Sequence, residues 1–119
     1  MQVSVVGDDP VREAVVTALD DVDIGVRDAS PGELADARFA VVSDVAGSAT
    51  FDRANEAALE GGTPWIAVEI GGVGNHPLPG VDAAISGFAP ATACFDCLRA
   101  RVASNVEDRA ATPQADRAP

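Results

Sequence analysis

The sequence predicts an α/β fold, because apolar runs of strand length alternate along the chain with segments of helical period. Residues Gln2–Val6 form a β-branched run that stops at Gly7, as a buried strand does. Between residues 11 and 19, apolar side chains recur with the period of a helix packed on a sheet. The alternation predicts a Rossmann- or flavodoxin-like three-layer sandwich around a mostly parallel, five-stranded sheet.

Capping residues mark where the predicted helices begin and end. Asp9 is suited to cap the first helix, with Pro10 at its first position. Ser30 opens a capping box for a short helix that ends at Ala37, and Ser48 begins a helix that Gly61 stops. On its buried side this helix is expected to carry Phe51, Ala54, Ala58 and Leu59. The other predicted elements are strands at 22–26 (a sheet edge), 39–43, 64–70 and 81–88, and a last helix at 92–105.

The connection between the fourth and fifth predicted strands, residues 71–80, is too rich in glycine and proline to form a helix. A parallel crossover normally needs a dozen or more residues, usually including a helix. Two alternatives follow. Either this segment crosses the sheet in an extended form, or the fifth strand runs antiparallel to the others.

Chain length indicates one domain, because 119 residues is a common size for a single hydrophobic core. Residues 1–106 are assigned to the α/β domain. Residues 107–119 consist mainly of Ala, Pro, Asp and Arg and show no apolar period. They are predicted to be a linker or a disordered tail.

The net charge of −11 limits the possible partners. Asp and Glu number 19 against eight basic residues, all of which are Arg. Such a surface repels phosphate, which argues against nucleic acid and anionic membranes as partners. An acidic, lysine-free composition is typical of proteins adapted to high salt, where self-repulsion is screened. No segment has the length of a transmembrane helix or the pattern of a signal peptide, so a cytoplasmic location is expected.

Cys94 and Cys97 are the only cysteines, and in a helix their spacing places both thiols on one face, one turn apart. The first turn of a helix favours thiolate, the form that binds metal or exchanges disulfides. Three interpretations stay open: half of a zinc site, an inert apolar pair, or a redox pair. Structural zinc needs four ligands, so a second copy or residues beyond Pro119 would supply the rest. His76, the single histidine, is a further possible ligand, although its setting is typical of an exposed loop residue.

Asp8, Asp9 and Asp44 follow the first and third predicted strands, which places them together at the carboxyl edge of a parallel sheet. Response-regulator receivers carry acidic residues at such positions, so a degenerate receiver-like interaction module is an alternative. The chain has no Lys to stabilise a phosphoryl group. The first turn, Gly7-Asp8-Asp9-Pro10, has one glycine and two carboxylates, and therefore no nucleotide cofactor is expected. The simpler interpretation is that Asp9 caps a helix and that Asp8 and Asp44 are surface carboxylates.

Four segments of the chain form a recognisable pattern: Trp65-Ile66-Ala67-Val68, Gly71-Gly72, Gly87-Phe88-Ala89-Pro90 and Ala93-Cys94-Phe95-Asp96-Cys97-Leu98-Arg99-Ala100-Arg101. They resemble the E1/ThiF-like region of YcaO-type cyclodehydratases, and the acidic, lysine-free composition resembles that of its haloarchaeal members. The resemblance covers residues 1 to about 105 and is most specific at the cysteines. It implies a non-catalytic scaffold or docking domain in an ATP-dependent system that forms azolines or related backbone changes in ribosomally made peptides.

The same resemblance implies that Cys94 and Cys97 are half of a zinc tetrathiolate. Catalysis is then expected in a YcaO domain, either downstream in the same polypeptide or in a separate protein. The chain lacks the glycine-rich ATP loop of true E1 enzymes and a cysteine nucleophile outside the CxxC. No catalytic or cofactor-binding residue is therefore assigned. The implied partners are the YcaO domain and a precursor peptide, with a homodimer as a further alternative; a small thiol-redox protein remains the other alternative function.

Overall fold

The computed structural model describes residues 2–90 and 94–111, and for residues 106–111 it describes the backbone only. The elements in chain order are β1 (Gln2–Val6), α1 (Val11–Asp20), β2 (Gly25–Asp28), a short 3-10 helix (Pro31–Asp36), β3 (Ala40–Val45), α2 (Ala49–Gly61), β4 (Trp65–Ile70), β5 (Gly72–Val73), β6 (His76–Pro77), β7 (Ala83–Phe88) and α3 (Phe95–Ala111).

Within these residues the main sheet has five strands in the order β2-β1-β3-β4-β7. The first four are parallel, and β7 runs antiparallel to β4, from Trp65 opposite Phe88 to Ile70 opposite Ala83. This confirms the predicted fold class and decides between the two alternatives for the last strand. Strands β5 and β6 form a separate two-stranded hairpin in the β4–β7 connection.

In the amino-terminal half of the chain, the starts of helix α1 and strand β2 differ from the predicted ones. Pro10, not Asp9, occupies the cap position of α1, and no side chain caps that helix. Strand β2 begins at Gly25 instead of residue 22, because hydrogen bonds from the N–H groups of Val22 and Ile24 to the carbonyl of Leu19 close a turn there. Strand β2 nevertheless lies at the sheet edge, as predicted.

The other helix signals give a mixed outcome. Glu33 accepts a hydrogen bond from the Ser30 N–H at 2.8 Å, as a capping box requires, but the helix that follows is a 3-10 helix. Ser48 caps α2 as predicted by accepting from the Thr50 N–H at 3.1 Å. Gly61 is the last residue of α2, and Gly62 ends it with φ +63°. A side chain at Gly61 would overlap the backbone of Ala35, which explains the glycine there.

The two faces of the sheet carry separate cores. The α2 face packs against the 3-10 helix, α2 and the start of α3, and its core includes Val6, Val42, Ala67, Trp65, Phe51 and Phe95. The α1 face centres on Val3, Val5 and Val41, against which Val15 and Leu19 of α1 pack. On α2, Phe51, Ala54 and Ala58 are buried as predicted, whereas Leu59 is mostly exposed.

Helix α3 begins at Phe95, and residue 92, where the last helix is predicted to begin, lies outside the described residues. The helix continues to Ala111, past the predicted end at Asn105, so residues 107–111 are helical where the sequence predicts a linker. Glu, Arg and Ala are good helix formers, which explains continuation beyond the last apolar residue. The division into a domain and a tail stays a prediction. Among the described residues, no helix has the length and apolar character needed to cross a membrane.

Candidate functional site

Cys94 and Cys97 lie at the start of α3. The carbonyl of Cys94 accepts hydrogen bonds from the N–H groups of Cys97 at 3.1 Å and Leu98 at 3.2 Å, so Cys94 sits where a cap residue sits. Both cysteines are free thiols, Cys94 half-buried and Cys97 exposed. The predicted pair therefore occupies the first helical turn, with its two thiols close enough to hydrogen-bond.

The pKa of the Cys94 thiol is lowered, chiefly because the N–H of Cys97 donates a hydrogen bond to its sulfur. Partial burial raises this pKa, but further hydrogen bonds from the Asp96 N–H, the Asn55 side chain and the Cys97 thiol outweigh it. Hydrogen bonds to a charged form always favour that form. The Cys94 sulfur therefore ionises more readily than a free cysteine thiol.

The lowered pKa of Cys94 should be visible in the pH dependence of its alkylation. We expect the rate at Cys94 to reach half its maximum at a lower pH in the folded chain than in the chain unfolded by denaturant, because only the thiolate reacts. The measurement is site-resolved mass spectrometry after brief iodoacetamide pulses across a pH series, with Cys97 as the internal reference. Equal midpoints for folded and unfolded Cys94 would contradict the assigned hydrogen bonds.

A buried amide holds this turn against α2. The Asn55 side chain accepts a hydrogen bond from the Phe95 N–H at 3.2 Å, and the residue is buried. Arg99, one turn further along α3, bonds to Asp52 of α2 and, at 2.7 Å, to Asp96. These contacts fix the axis of α3 relative to α2, and with it the direction in which the thiols point.

Phe95, between the two cysteines, is fully buried and anchors α3 in the core. Its ring lies 5.4 Å from Phe51, 5.8 Å from Trp65 and 5.7 Å from Phe88, measured between centroids. Four of the five aromatic residues of the chain thus form one cluster beneath the CxxC. Aromatic clusters of this kind contribute most of their stability by burial, with a smaller gain from ring geometry.

A cavity of about 120 Å³ adjoins Cys94. Its wall includes Asn55, Trp65, Phe88 and Pro90, so it lies between the end of β7, the start of β4 and α2. Cys94 lines this partly apolar space, while Cys97 is exposed to solvent. The two thiols therefore differ in environment although they share one helical turn.

Among the side chains that the structure describes, those of residues 2–90 and 94–105, no three His, Cys, Asp or Glu gather in a group that could hold a metal ion. The cysteine pair thus has no third ligand there. His76 lies in β6 and is half-buried, not exposed as its sequence setting suggested, and its Nε2 has no hydrogen-bond partner in that part of the chain. It does not join the thiols.

Asp8, Asp9 and Asp44 line one cavity of about 240 Å³ at the carboxyl edge of the sheet, so the structure brings the predicted acidic residues together. Asp44 is committed to the β3–α2 connection, where it accepts from the Val45 N–H at 2.7 Å and the Ser48 hydroxyl at 2.8 Å. Burial raises the pKa of Asp44, but hydrogen bonds from Thr50, Ser48 and Val45 hold it below its usual value. Its main contribution is to the connection that starts α2.

The chain is similar to a solved heterocyclase. That structure is described as a heterocyclase in complex with substrate and cofactor, and it matches with a TM-score of 0.58 and 25% identity over 84% of this chain. The chain spans 13% of the length of that heterocyclase. Three solved chains match significantly, whereas no family model and no curated protein matches. The fold of this chain therefore recurs as one segment of a much larger heterocyclase.

Sequence reasoning missed the role of a buried carboxylate, which links strand β4 to helix α3 through the β5–β6 turn. Glu69 of β4 is fully buried and accepts hydrogen bonds from the N–H groups of Gly74 at 2.9 Å and Asn75 at 2.6 Å. Asn75 in turn accepts from the Gly47 N–H at 2.8 Å. A side chain at Gly74 would overlap Val102, so the β5–β6 turn rests on α3. The signal was present, since Glu69 is the only charged residue in an otherwise apolar strand.

Proposed function

We propose that this chain is a non-catalytic scaffold or docking domain of a YcaO-type, ATP-dependent system that modifies ribosomally made peptides. The observation that carries the proposal is the likeness to a heterocyclase, which extends over 84% of this chain but only 13% of that protein. A match that covers most of this chain but a small part of the other protein is expected for one domain of a multidomain enzyme system. Catalysis then belongs to a YcaO domain, either downstream or in a partner protein, and the precursor peptide is the substrate.

Charge supports a role other than nucleotide binding for this module. In open α/β folds, nucleotides bind in the crevice at the carboxyl ends of the strands. Here that crevice is lined by Asp8, Asp9 and Asp44. Three carboxylates repel phosphate groups, and a chain without Lys offers no compensating amine there. ATP is accordingly assigned to the partner domain.

The cysteine pair fits half of a structural zinc site. Adjacent thiols on one helical turn, one with a lowered pKa, supply two of the four ligands that tetrahedral zinc needs. Two further thiolates from the partner domain, or from a second copy, would complete the shell. Zinc would then join this chain to its partner domain or second copy. Because each would supply two of the ligands, zinc binding would depend on their assembly.

Zinc affinity is expected to be weak in the isolated chain and to rise when two further thiolates are supplied. Each missing ligand removes part of the binding free energy of a structural site. Competition with a chelating dye, at several protein concentrations, measures affinity and stoichiometry; Cys94→Ser with Cys97→Ser is the matched control. One zinc per two chains would mean that a dimer completes the site. Tight binding of one zinc per strictly monomeric chain would contradict the half-site.

The scaffold role itself is tested by reconstitution. A YcaO catalytic protein and a precursor peptide from the same genome are incubated with ATP, with and without this chain, and the loss of water from the peptide is followed by mass spectrometry. We expect modification to depend on this chain, and to fall with the double serine variant if zinc joins the parts. Equal modification without the chain would reject the proposal.

A thiol-redox role is the second candidate, favoured by the lowered pKa of Cys94 and its hydrogen bond from the Cys97 thiol. Reversible formation of a Cys94–Cys97 disulfide, together with catalysed reduction of insulin, would favour it. A pair that stays reduced under glutathione buffers, or turns over no disulfide substrate, would leave the scaffold proposal as the better account.

A further inference from the structure

Asn55 is the one polar residue among the buried residues of helix α2, and it is only 2% exposed. The other four buried residues of the helix are apolar: Phe51, Ala54, Ala57 and Ala58. Burying an amide costs free energy unless its oxygen and nitrogen both find hydrogen-bond partners. The partners of Asn55 therefore explain why an amide stands at this place in the core.

The two ends of the Asn55 amide contact two neighbouring groups at the start of α3. The oxygen accepts a hydrogen bond from the Phe95 N–H at 3.2 Å. The same side chain makes a hydrogen bond with the sulfur of Cys94. Because the Phe95 N–H is a donor, it takes the amide oxygen, and the amide nitrogen is the end that donates to the sulfur. Asn55 thus holds both the backbone of the cysteine turn and one of its two thiols.

This contact makes the two cysteines unequal in position as well as in exposure. The Cys94 sulfur also accepts hydrogen bonds from the N–H groups of Asp96 and Cys97, so donors from two helices converge on it. Cys94 and Asn55 line the same cavity of about 120 Å³, whereas Cys97 is exposed to solvent. Exposed side chains change rotamer rapidly. Cys94 is therefore the fixed thiol of the pair, and Cys97 is the adaptable one.

We propose that Asn55 is a positioning residue for zinc, which holds the Cys94 sulfur in place before the ligands from the other side of the site arrive. This inference rests on the proposed zinc half-site. Groups that hydrogen-bond to metal ligands orient them, and their loss typically lowers metal affinity by about 10–100-fold. A half-site gains most from such a group, because a thiol that is already oriented loses less conformational freedom when the metal binds.

Asn55→Leu tests the proposal, since leucine has a similar size but neither donates nor accepts a hydrogen bond. We expect the dissociation constant for zinc to rise by about 10–100-fold. Zinc alone is titrated into the full chain, and brief iodoacetamide pulses followed by mass spectrometry measure the protection of Cys94 and Cys97 separately. Asn55→Gln keeps the amide, and the adjoining cavity has room for its extra methylene group. It should recover most of the lost affinity.

Thr63→Val is the matched control for a purely structural effect. Thr63 is buried and lines the same cavity as Asn55 and Cys94. Its hydroxyl, however, donates to the carbonyls of Leu34 at 2.6 Å and Ala37 at 3.2 Å. The variant therefore removes buried hydrogen bonds beside the cavity without removing a donor to the sulfur. It should lower the stability of the fold, measured by denaturant unfolding, and leave the dissociation constant for zinc unchanged.

Three results would overturn the proposal. Unchanged zinc affinity in Asn55→Leu would show that the sulfur does not need the amide. Equal losses of affinity in Asn55→Leu and Thr63→Val would show that Asn55 only stabilises the fold. Equal losses in Asn55→Leu and Asn55→Gln would show that the amide hydrogen bonds are not the cause. Failure of the half-site itself is distinguishable from these, because zinc would then protect neither Cys94 nor Cys97 in the unaltered chain, and the role of Asn55 would be rejected with it.

Discussion

Replacing Phe95 with alanine is expected to lower the free energy of unfolding by about 3–5 kcal/mol, the usual cost of removing a fully buried aromatic ring. The ring contacts Phe51, Trp65 and Phe88, so its loss leaves a cavity that three large side chains cannot fill without moving. Whole domains are stable by only about 5–15 kcal/mol. The variant should therefore unfold at a much lower denaturant concentration.

Phe39→Ala is the matched control for this experiment, because Phe39 is only half-buried, on the α1 face. It should cost clearly less than Phe95→Ala. The second readout is the thiol pair: in Phe95→Ala the start of α3 loses its anchor, so the alkylation midpoint of Cys94 should shift towards that of the unfolded chain. Similar losses in both variants, with Cys94 unchanged, would show that Phe95 does not position the cysteines.

The strands of the fold were predictable because local signals determine them. The runs at β1, β3 and β4 are rich in apolar and β-branched residues, which favour a buried strand over a solvent-exposed loop. The glycine and proline content of residues 71–80 restricted the last strand to two alternatives, one of which the structure shows. Strand β2 was misplaced by three residues, since its start depends on turn hydrogen bonds to Leu19 that no local propensity encodes.

The site was predictable only in part, for the same physical reason. The spacing of Cys94 and Cys97 and the parallel order of β1 and β3 placed two groups of side chains correctly. Glu69 stood out as a charge in an apolar strand, but the N–H groups that it accepts from depend on how the β5–β6 turn folds back over it. The role of Asn55 could not be predicted, because its partner is the backbone N–H of Phe95, 40 residues away along the chain. Long-range partners of this kind are invisible to period and composition.

Glu69→Ala is expected to lower the free energy of unfolding by about 2–5 kcal/mol, because it leaves one buried and one partly buried backbone N–H group without an acceptor. Those groups belong to Gly74 and Asn75 in the β5–β6 turn, and Gly74 rests on Val102 of α3. Release of the turn should therefore also loosen α3. Hydrogen exchange measures both effects: amides of residues 74 and 75 should lose protection first, followed by those of α3.

Two variants make this prediction specific. Glu69→Gln keeps one acceptor oxygen, so its loss of stability should lie between that of the unmodified chain and that of Glu69→Ala. Glu33→Ala removes a carboxylate that also accepts a backbone N–H, from Ser30 at 2.8 Å, but at the surface, where water replaces it. It should cost much less. If Glu33→Ala and Glu69→Ala were equally destabilising, burial would not be what makes Glu69 important, and the link from β4 through the hairpin to the cysteine helix would have to be abandoned.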